Sequence, residues 1–306
     1  MTACSAATAA LAEPLAGTAP TARTWVVLEQ PGPWGRKAVT ESHLDPVLGQ
    51  ALDVAASAHG ARVALVRRAG RHPDRPYPDS RRIWVASTAP GAGWLLGGWV
   101  ADISVLGGLD WRALAREDAD AVRRSIPGLR PDPAPLLLVC TNGRRDVCCA
   151  IRGRDLVNRL RDRLLGRVWE TTHLSGHRFA PTAVLLPFGV TYGRLLATTA
   201  AEIFDEAVQG RFTDVNYRGR SAFSGAGQAA EAAVRAIVHP SGLDDLDVPA
   251  VEPLDGAWRV TVTHRDGRRW AVPVTRRAVS PARAESCGAA AKEPASFVAG
   301  PPAPEY

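Results

Sequence analysis

Short apolar runs alternate with segments of helical spacing in the first half of the chain. Runs rich in β-branched and aromatic residues between turn residues predict strands, whereas apolar residues three and four positions apart predict helices. Residues 46–59 have helical spacing and end at Gly60, and 111–124 form a second helix with Asp110 as its N-cap. The predicted strands are 25–29, 62–66, 83–87 and 93–100, which gives a β-α-β-β-β-α order.

A proline-rich stretch separates this half from a second α/β segment. Residues 126–135 contain four prolines, which favour a stiff and extended connection. We therefore expect a smaller N-terminal α/β domain over 23–126, a linker over 127–135 and a second domain over 136–277, that is, an α/β (α+β) protein. The pair Asp266-Gly267 predicts the turn of a hairpin. The strands predicted in the second domain are 136–139, 168–171, 183–186, 258–263 and 270–274, and its helices are 147–165, 199–209 and 225–237.

The two ends of the chain lack a hydrophobic period. Residues 1–22 are rich in Ala, Thr and Pro, and residues 278–306 are rich in Ala, Pro, Arg and Glu. Segments of this composition bury little apolar surface. We therefore expect a flexible N-terminal arm over 1–22 and a disordered tail over 278–306.

The composition of the chain bears on the class of protein, on its partners and on its location in the cell. The 306 residues are 46% hydrophobic and 22% charged, so the chain can bury a sizeable core. The mean hydropathy is −0.09 and charges interrupt every apolar run, so we expect no association with a membrane. The net charge of +6 comes almost entirely from arginines that are spread along the chain without interleaved aromatics, so we expect no nucleic-acid partner. The N-terminus lacks the pattern of a secretory signal, which favours a cytoplasmic protein.

The five cysteines are clustered rather than evenly distributed. Cys140, Cys148 and Cys149 lie within ten residues of one another, whereas Cys4 and Cys287 lie in the two terminal segments. Disulfide-stapled domains distribute their cysteines differently, and the cytosol keeps thiols reduced. The cluster therefore points to metal or redox chemistry. We expect Cys4 to be an exposed thiol, with reach to the cluster through the arm as the alternative.

Potential metal ligands follow two of the predicted strands. Cys140 ends the first strand, Cys148 and Cys149 begin the helix after it, and His173 and His177 follow the next strand. Loops at the same end of a parallel-type sheet come together, and the small residues between the histidines let both imidazoles face one point. A helix N-terminus stabilises thiolate, which is the form that binds metal.

The ligand spacing discriminates among metal sites. A structural zinc finger combines a short cysteine pair with H-x3–5-H, and only the histidine pair, with three residues between, fits this pattern. A Rieske centre also uses two cysteines and two histidines, but each of its loops contains both residue types. The residues therefore favour a [2Fe–2S] cluster held by a cysteine loop and a histidine loop, with zinc as the alternative.

The segments around these ligands resemble a known family. The chain is similar to the sucrase/ferredoxin-like family in LLLVCTNGRRDVCCAIRG, in VWETTHLSGHRFAPTAVLLPFGVTYGRL and, near the N-terminus, in EPLAGTAP and WVVLEQPGPWG. The similarity covers most of residues 4–275 and implies a thioredoxin-like [2Fe–2S] ferredoxin domain. The ligands that it implies are Cys140, Cys149, His173 and His177. The element order of 23–126 also permits a second, degenerate thioredoxin-like unit without ligands.

One ligand position is ambiguous. Adjacent residues of a helix point about 100° apart, so only one of Cys148 and Cys149 can share a face with Cys140. The family spacing C-x8-C favours Cys149. Cys148 is the alternative ligand.

These features predict an electron carrier more than a stand-alone enzyme. A [2Fe–2S] cluster with two neutral imidazole ligands would transfer one electron, coupled to a proton, to or from a redox partner protein. The sucrose-cleaving activity in the family name finds no support, because the sequence has no paired carboxylates in a glycosidase context. The alternatives are a thiol-redox protein of thioredoxin-like fold and a zinc-stabilised interaction domain.

Overall fold

Ten strands from both halves of the chain pair into one mixed sheet. The computed structural model describes residues 3–70, 80–238 and 241–305. The first half contains α1 (Cys4–Ala10), β1 (Thr24–Glu29), α2 (Pro46–Ala58), β2 (Ala61–Arg67), β3 (Arg81–Ser87), β4 (Trp94–Val100), α3 (Trp111–Ala115), α4 (Ala119–Ser125) and β5 (Arg130–Pro131). The second half contains β6 (Leu136–Cys140), α5 (Val147–Leu160), β7 (Val168–Thr171), β8 (Ala183–Leu186), β9 (Val190–Tyr192), α6 (Ala197–Val208), β10 (Tyr217–Arg220) and α7 (Gly225–Arg235). The strand order is β10-β9-β8-β6-β7-β2-β1-β3-β4-β5.

The two halves have the same connectivity. In the first half, α2 joins the parallel strands β1 and β2, and β3 and β4 then add antiparallel on the other side of β1. In the second half, α5 joins the parallel strands β6 and β7, and β8 and β9 add antiparallel beside β6. Each half thus has the β-α-β-β-β-α order, with its first four strands in the spatial order 2-1-3-4. The predicted α/β (α+β) fold is confirmed.

The two units meet edge to edge through β2 and β7. These strands pair antiparallel, with Val66 opposite Thr171 and Arg67 opposite Glu170. The Arg67 guanidinium lies 2.8 Å from the Glu170 carboxylate, and both side chains are buried. The same carboxylate accepts a hydrogen bond of 2.8 Å from the Thr141 hydroxyl, directly after β6. The junction therefore fixes the end of the strand that carries Cys140.

The prediction of a single helix over 111–124 is wrong. The structure divides it into α3 and α4, because Glu117 takes a left-handed conformation with φ of 62°. Asp118 then caps α4 by accepting a hydrogen bond of 2.9 Å from the Ala121 amide. The helix predicted over 147–165 is shorter than expected and ends at Leu160.

The N-terminal segment packs against the second unit, which corrects the expectation of a flexible arm over 1–22. Cys4, Ser5 and Thr8 on α1 are buried. The buried Glu13 carboxylate lies 2.9 Å from Arg178 and 2.7 Å from Arg283. These buried contacts fix the segment, although its sequence has no hydrophobic period.

A separate antiparallel sheet follows the second unit and includes most of the predicted tail. The predicted hairpin is confirmed, with Trp258 opposite Val274 and a left-handed Gly267 in its turn. The expectation of a disordered tail over 278–306 is wrong for the described residues, because both late strands pair with the hairpin strand 269–278. The strands of this region are β11 (Leu246–Leu254), β12 (Ala257–His264), β13 (Arg269–Ala278), β14 (Arg283–Ala284), β15 (Ala291–Lys292), β16 (Ala295–Ala299) and β17 (Ala303–Glu305).

The predicted linker over 127–135 also contributes to the fold. Its β5 pairs with β4, with Pro131 opposite Leu96, and forms one edge of the ten-stranded sheet. Leu129 is fully buried. Pro131 therefore lies in the edge strand of the sheet, where a missing amide donor is tolerated. Within the three described ranges, the structure contains no helix with the length and apolar run that a bilayer crossing requires.

Gly153 allows α5 to pack tightly on the end of β6. A Cβ atom at this position would lie 2.1 Å from the carbonyl oxygen of Cys140. We expect Gly153→Ala to lower the free energy of unfolding by about 1–3 kcal/mol, because the helix must move away from the strand. Equilibrium urea unfolding measures this change.

Gly107→Ala is the matched control. A Cβ atom there meets no atom within 4 Å, and the backbone is not left-handed. This substitution should change the free energy of unfolding by less than about 0.5 kcal/mol. Equal stability of the two variants would contradict the tight packing of α5 on β6.

Candidate metal centre

The parallel pairing of β6 and β7 places a cysteine loop beside a histidine loop. Cys140 is the last residue of β6, and its strand partner is Thr171, two residues before His173. The Sγ atoms of Cys140 and Cys149 and a ring nitrogen of His173 all lie within 4.8 Å of one another. Both cysteines are buried and His173 is half-buried. The structure thus brings these three predicted ligands together.

The loop between the histidines turns sharply. Ser175 and Gly176 both have positive φ, at 61° and 63°. Two consecutive left-handed residues reverse the chain within one turn, as in a type I′ turn. The turn brings the rings of His173 and His177 to a centroid distance of 5.3 Å. His177 therefore borders the group of three ligands through its neighbour His173.

The two imidazoles have nitrogen atoms without hydrogen-bond partners. Among the described residues, these buried atoms are Nδ1 of His173 and both Nδ1 and Nε2 of His177. Buried polar atoms are normally paired, so unpaired ones require an explanation. Two buried thiols beside unpaired imidazole nitrogens form a donor set that fits a soft metal ion or an iron–sulfur cluster.

The protonation states of this group suit metal binding. A hydrogen bond from Cys149, with a further contribution from His173, holds the pKa of the Cys140 thiol well below its ordinary value. The same contact with Cys140, together with burial, raises the pKa of Cys149. Burial lowers the pKa of His177 even though Asp146 acts in the opposite direction. His177 is therefore neutral near pH 7, and neutral imidazole is the form that coordinates metals.

Two arginines, the half-buried Arg62 and the fully buried Arg218, support the histidine loop. The Arg62 guanidinium donates to the carbonyl oxygen of His173, and Arg218 donates to that of Ser175 at 3.3 Å. Burial lowers the pKa of Arg218 to about 9, while the nearby Cys140 and Cys149 sulfurs act in the opposite direction. Arg218 thus remains charged at neutral pH. The two cations offset the negative charge that thiolates bring into this interior.

A comparison with models of known protein families identifies the family of this chain. A model of the sucrase/ferredoxin-like family matches residues 15–219, which is more than half of the chain. The chain belongs to the sucrase/ferredoxin-like family. No curated protein and no solved structure matches it. The matched region contains all the cysteines and histidines of this candidate centre, whereas Cys4 and Cys287 lie outside it.

Cys148 lies in a different group of side chains in this sucrase/ferredoxin-like chain. Its Sγ atom is 3.6 Å from that of Cys4 and 3.1 Å from that of Cys287. The thiols of Cys148 and Cys149 therefore belong to two separate groups, as expected for neighbours on a helix. The expectation that Cys4 is an exposed thiol is wrong, because this residue is 1% exposed.

Asp146 has a position at the site that the sequence motif does not indicate. It caps α5 by accepting a hydrogen bond of 2.8 Å from the Cys148 amide. Its carboxylate also lies 3.9 Å from Nε2 of His177, between the two groups of side chains. An Asp directly before an amphipathic helix is a recognisable N-cap signal. No comparable signal indicates that Cys4 and Cys287 meet across 283 positions.

Gly176 is required both for the turn of the histidine loop and for the position of Arg218. A Cβ atom at Gly176 would lie 2.3 Å from Nη2 of Arg218. We expect Gly176→Ala to be more destabilising than Gly210→Ala by about 1–3 kcal/mol, because only the former combines a left-handed backbone with a clash. Gly210 is the matched control, since its φ is +73° and its surroundings are open. Urea unfolding of both variants checks this expectation, and equal losses would contradict it.

Proposed function

We propose that this chain is an electron-transfer protein that carries a [2Fe–2S] cluster on Cys140, Cys149, His173 and His177. The observation that carries the proposal is the buried pair of thiols beside imidazole nitrogens that lack any hydrogen-bond partner among the described residues. When bound, such a cluster accepts and donates single electrons. The membership of the sucrase/ferredoxin-like family supports the same assignment.

The charges around the site support a cluster with a raised potential. Neutral imidazole ligands leave a cluster less negative than four thiolates do, which makes reduction more favourable. Arg62 and Arg218 lie beside the ligand loops and add positive charge in a region with little water. Positive charge near a redox centre stabilises its reduced form, because reduction adds an electron.

Electrons would enter and leave the cluster through the histidine loop, which is the more exposed part of the site. Cys140 and Cys149 are almost completely buried, whereas the His177 side chain is 18% exposed. His173, Ser175 and Gly176 are also half-buried. A redox partner protein would therefore dock over the histidine loop, where the distance from the ligands to the surface is shortest.

Metal and sulfide analysis tests the proposal. Protein purified without oxygen should be red-brown and contain about two iron and two acid-labile sulfide per chain, the stoichiometry of a [2Fe–2S] cluster. Cys149→Ser should lose the visible absorption bands and most of the iron, because serine replaces a soft thiolate ligand. Cys148→Ser is the matched control at the neighbouring position and should retain both.

Three outcomes would contradict the proposal. The first is a colourless protein that carries zinc at these residues. The second is a protein that binds no iron after anaerobic reconstitution. The third is a loss of iron in Cys148→Ser but not in Cys149→Ser, which would show that Cys148, and not Cys149, is the cluster ligand.

The potential tests the histidine ligands separately. We expect His177→Cys to keep the cluster and to lower its reduction potential by roughly 100 mV or more, towards the value of about −400 mV of all-cysteine plant-type ferredoxins. The physical reason is that a thiolate adds the negative charge that imidazole lacks. Spectroelectrochemical titration measures the shift. An unchanged potential would remove His177 from the ligand set.

A further inference from the structure

Three cysteines from distant parts of the chain converge beside the candidate cluster site. Cys4 is the first residue of α1, Cys148 lies in the first turn of α5, and Cys287 lies between β14 and β15. Their Sγ atoms form a triangle with sides of 3.6 Å (Cys4 to Cys148), 3.5 Å (Cys4 to Cys287) and 3.1 Å (Cys148 to Cys287). All three sulfurs can therefore share a single neighbour.

A carboxylate completes this group. Both carboxylate oxygens of Asp146 lie 3.9 Å from the Cys4 sulfur. The amides of Cys148 and Cys287 donate to this carboxylate at 2.8 and 2.9 Å, and the Ser286 hydroxyl donates at 3.0 Å. Hydrogen bonds of this kind orient ligands in established metal sites. Asp146 is thus held in place as a potential fourth ligand.

The spacing fits a tetrahedral metal site better than a disulfide. Zinc–sulfur bonds of about 2.3 Å in a tetrahedron place neighbouring sulfurs about 3.8 Å apart, close to the observed triangle. A disulfide would join only two of the three sulfurs at about 2.05 Å and leave the third thiol beside it. Three thiols and one carboxylate form a set of soft and borderline donors that suits Zn²⁺.

We propose that Cys4, Cys148, Cys287 and Asp146 bind a zinc-class divalent cation, at a site separate from the Cys140 site. The ion would join the N-terminal helix and the C-terminal segment to the start of α5. Cys4 and Cys287 lie outside the family-matched residues 15–219, so the site depends on segments beyond the matched region. Cys287 is half-buried, which gives the ion a route from solvent.

Metal analysis of the full-length protein tests this proposal independently of the [2Fe–2S] proposal. The test background is the variant with His173→Ala and His177→Ala, which lacks both imidazoles of the other site. After equilibration with Zn²⁺ and removal of excess metal, this background should retain about one zinc per chain. Addition of Cys287→Ser should remove most of that zinc, and so should addition of Cys4→Ser. Ala289→Ser is the matched control in the same loop, because its side chain is exposed, and it should leave the zinc in place.

Stability provides a second readout that does not depend on metal retention during purification. A metal that binds only the folded protein raises its Tm as the metal concentration increases. Zn²⁺ should therefore raise the Tm of the His173→Ala, His177→Ala background and of its Ala289→Ser form, but not of its Cys287→Ser form. Of the three cysteine substitutions, Cys287→Ser should disturb the fold least, because Cys287 is half-buried whereas Cys4 and Cys148 are buried.

Specific results would overturn the proposal. One is a His173→Ala, His177→Ala background that retains no zinc and shows no zinc-dependent rise in Tm. Another is zinc that persists when Cys4 and Cys287 are replaced but disappears with Cys140→Ser, which would place the ion at the other site. A third is a disulfide between two of the three cysteines, found by peptide mapping under non-reducing conditions in protein that binds no zinc.

Discussion

The parallel pairing of β6 and β7 is the constraint on which the candidate centre depends. Parallel strands that are neighbours in a sheet end at the same edge, so the loops that follow them must meet. The cysteine loop and the histidine loop are separated by a helix and a strand in the chain, yet they share this edge. Tight packing of α5 at Gly153 and the buried Arg67–Glu170 pair hold β6 and β7 in that arrangement.

Placing thiolates and imidazoles in an interior is unfavourable unless their charge is balanced. In this protein the balance is local, because one thiol of lowered pKa lies among neutral donors and near the guanidiniums of Arg62 and Arg218. The arginines serve a second purpose, since their hydrogen bonds to the carbonyls of His173 and Ser175 fix the backbone of the histidine loop. The same groups therefore set both the geometry and the electrostatics of the site.

Patterns within the sequence predict much of the fold, while long-range contacts decide the rest. The alternation of apolar runs and helical spacing predicts the β-α-β-β-β-α order of the first half, and the turn signal at Asp266-Gly267 predicts the hairpin. In the second half it predicts β6, α5, β7 and β8 but misses the short strands β9 and β10. The sequence pattern does not reveal that Glu117 interrupts a helix. Glutamate has no preference for the left-handed conformation, and the conformation at Glu117 is stabilised by the helix cap that Asp118 forms next to it.

The terminal segments show a second limit of sequence-based prediction. They lack a hydrophobic period, and they are ordered by long-range contacts that no local pattern encodes. These contacts are the ion pairs of Glu13 with Arg178 and Arg283 and the pairing of β16 and β17 with β13. The candidate ligands were accessible to prediction because each lies next to the end of a strand or the start of a helix. The meeting of Cys4 with Cys287 was not accessible, because it depends on the packing of the complete chain.

The contact between Cys4 and Cys287 brings a residue near the N-terminus next to a residue in the C-terminal segment. Any bond made at this point, whether through a metal ion or directly, would close a loop between two residues that are 283 positions apart. In the chain-entropy picture, closure of a loop of this length removes about 5–6 kcal/mol of conformational freedom from the unfolded state. Local unfolding that begins with the detachment of α1 would then be opposed by the same small site.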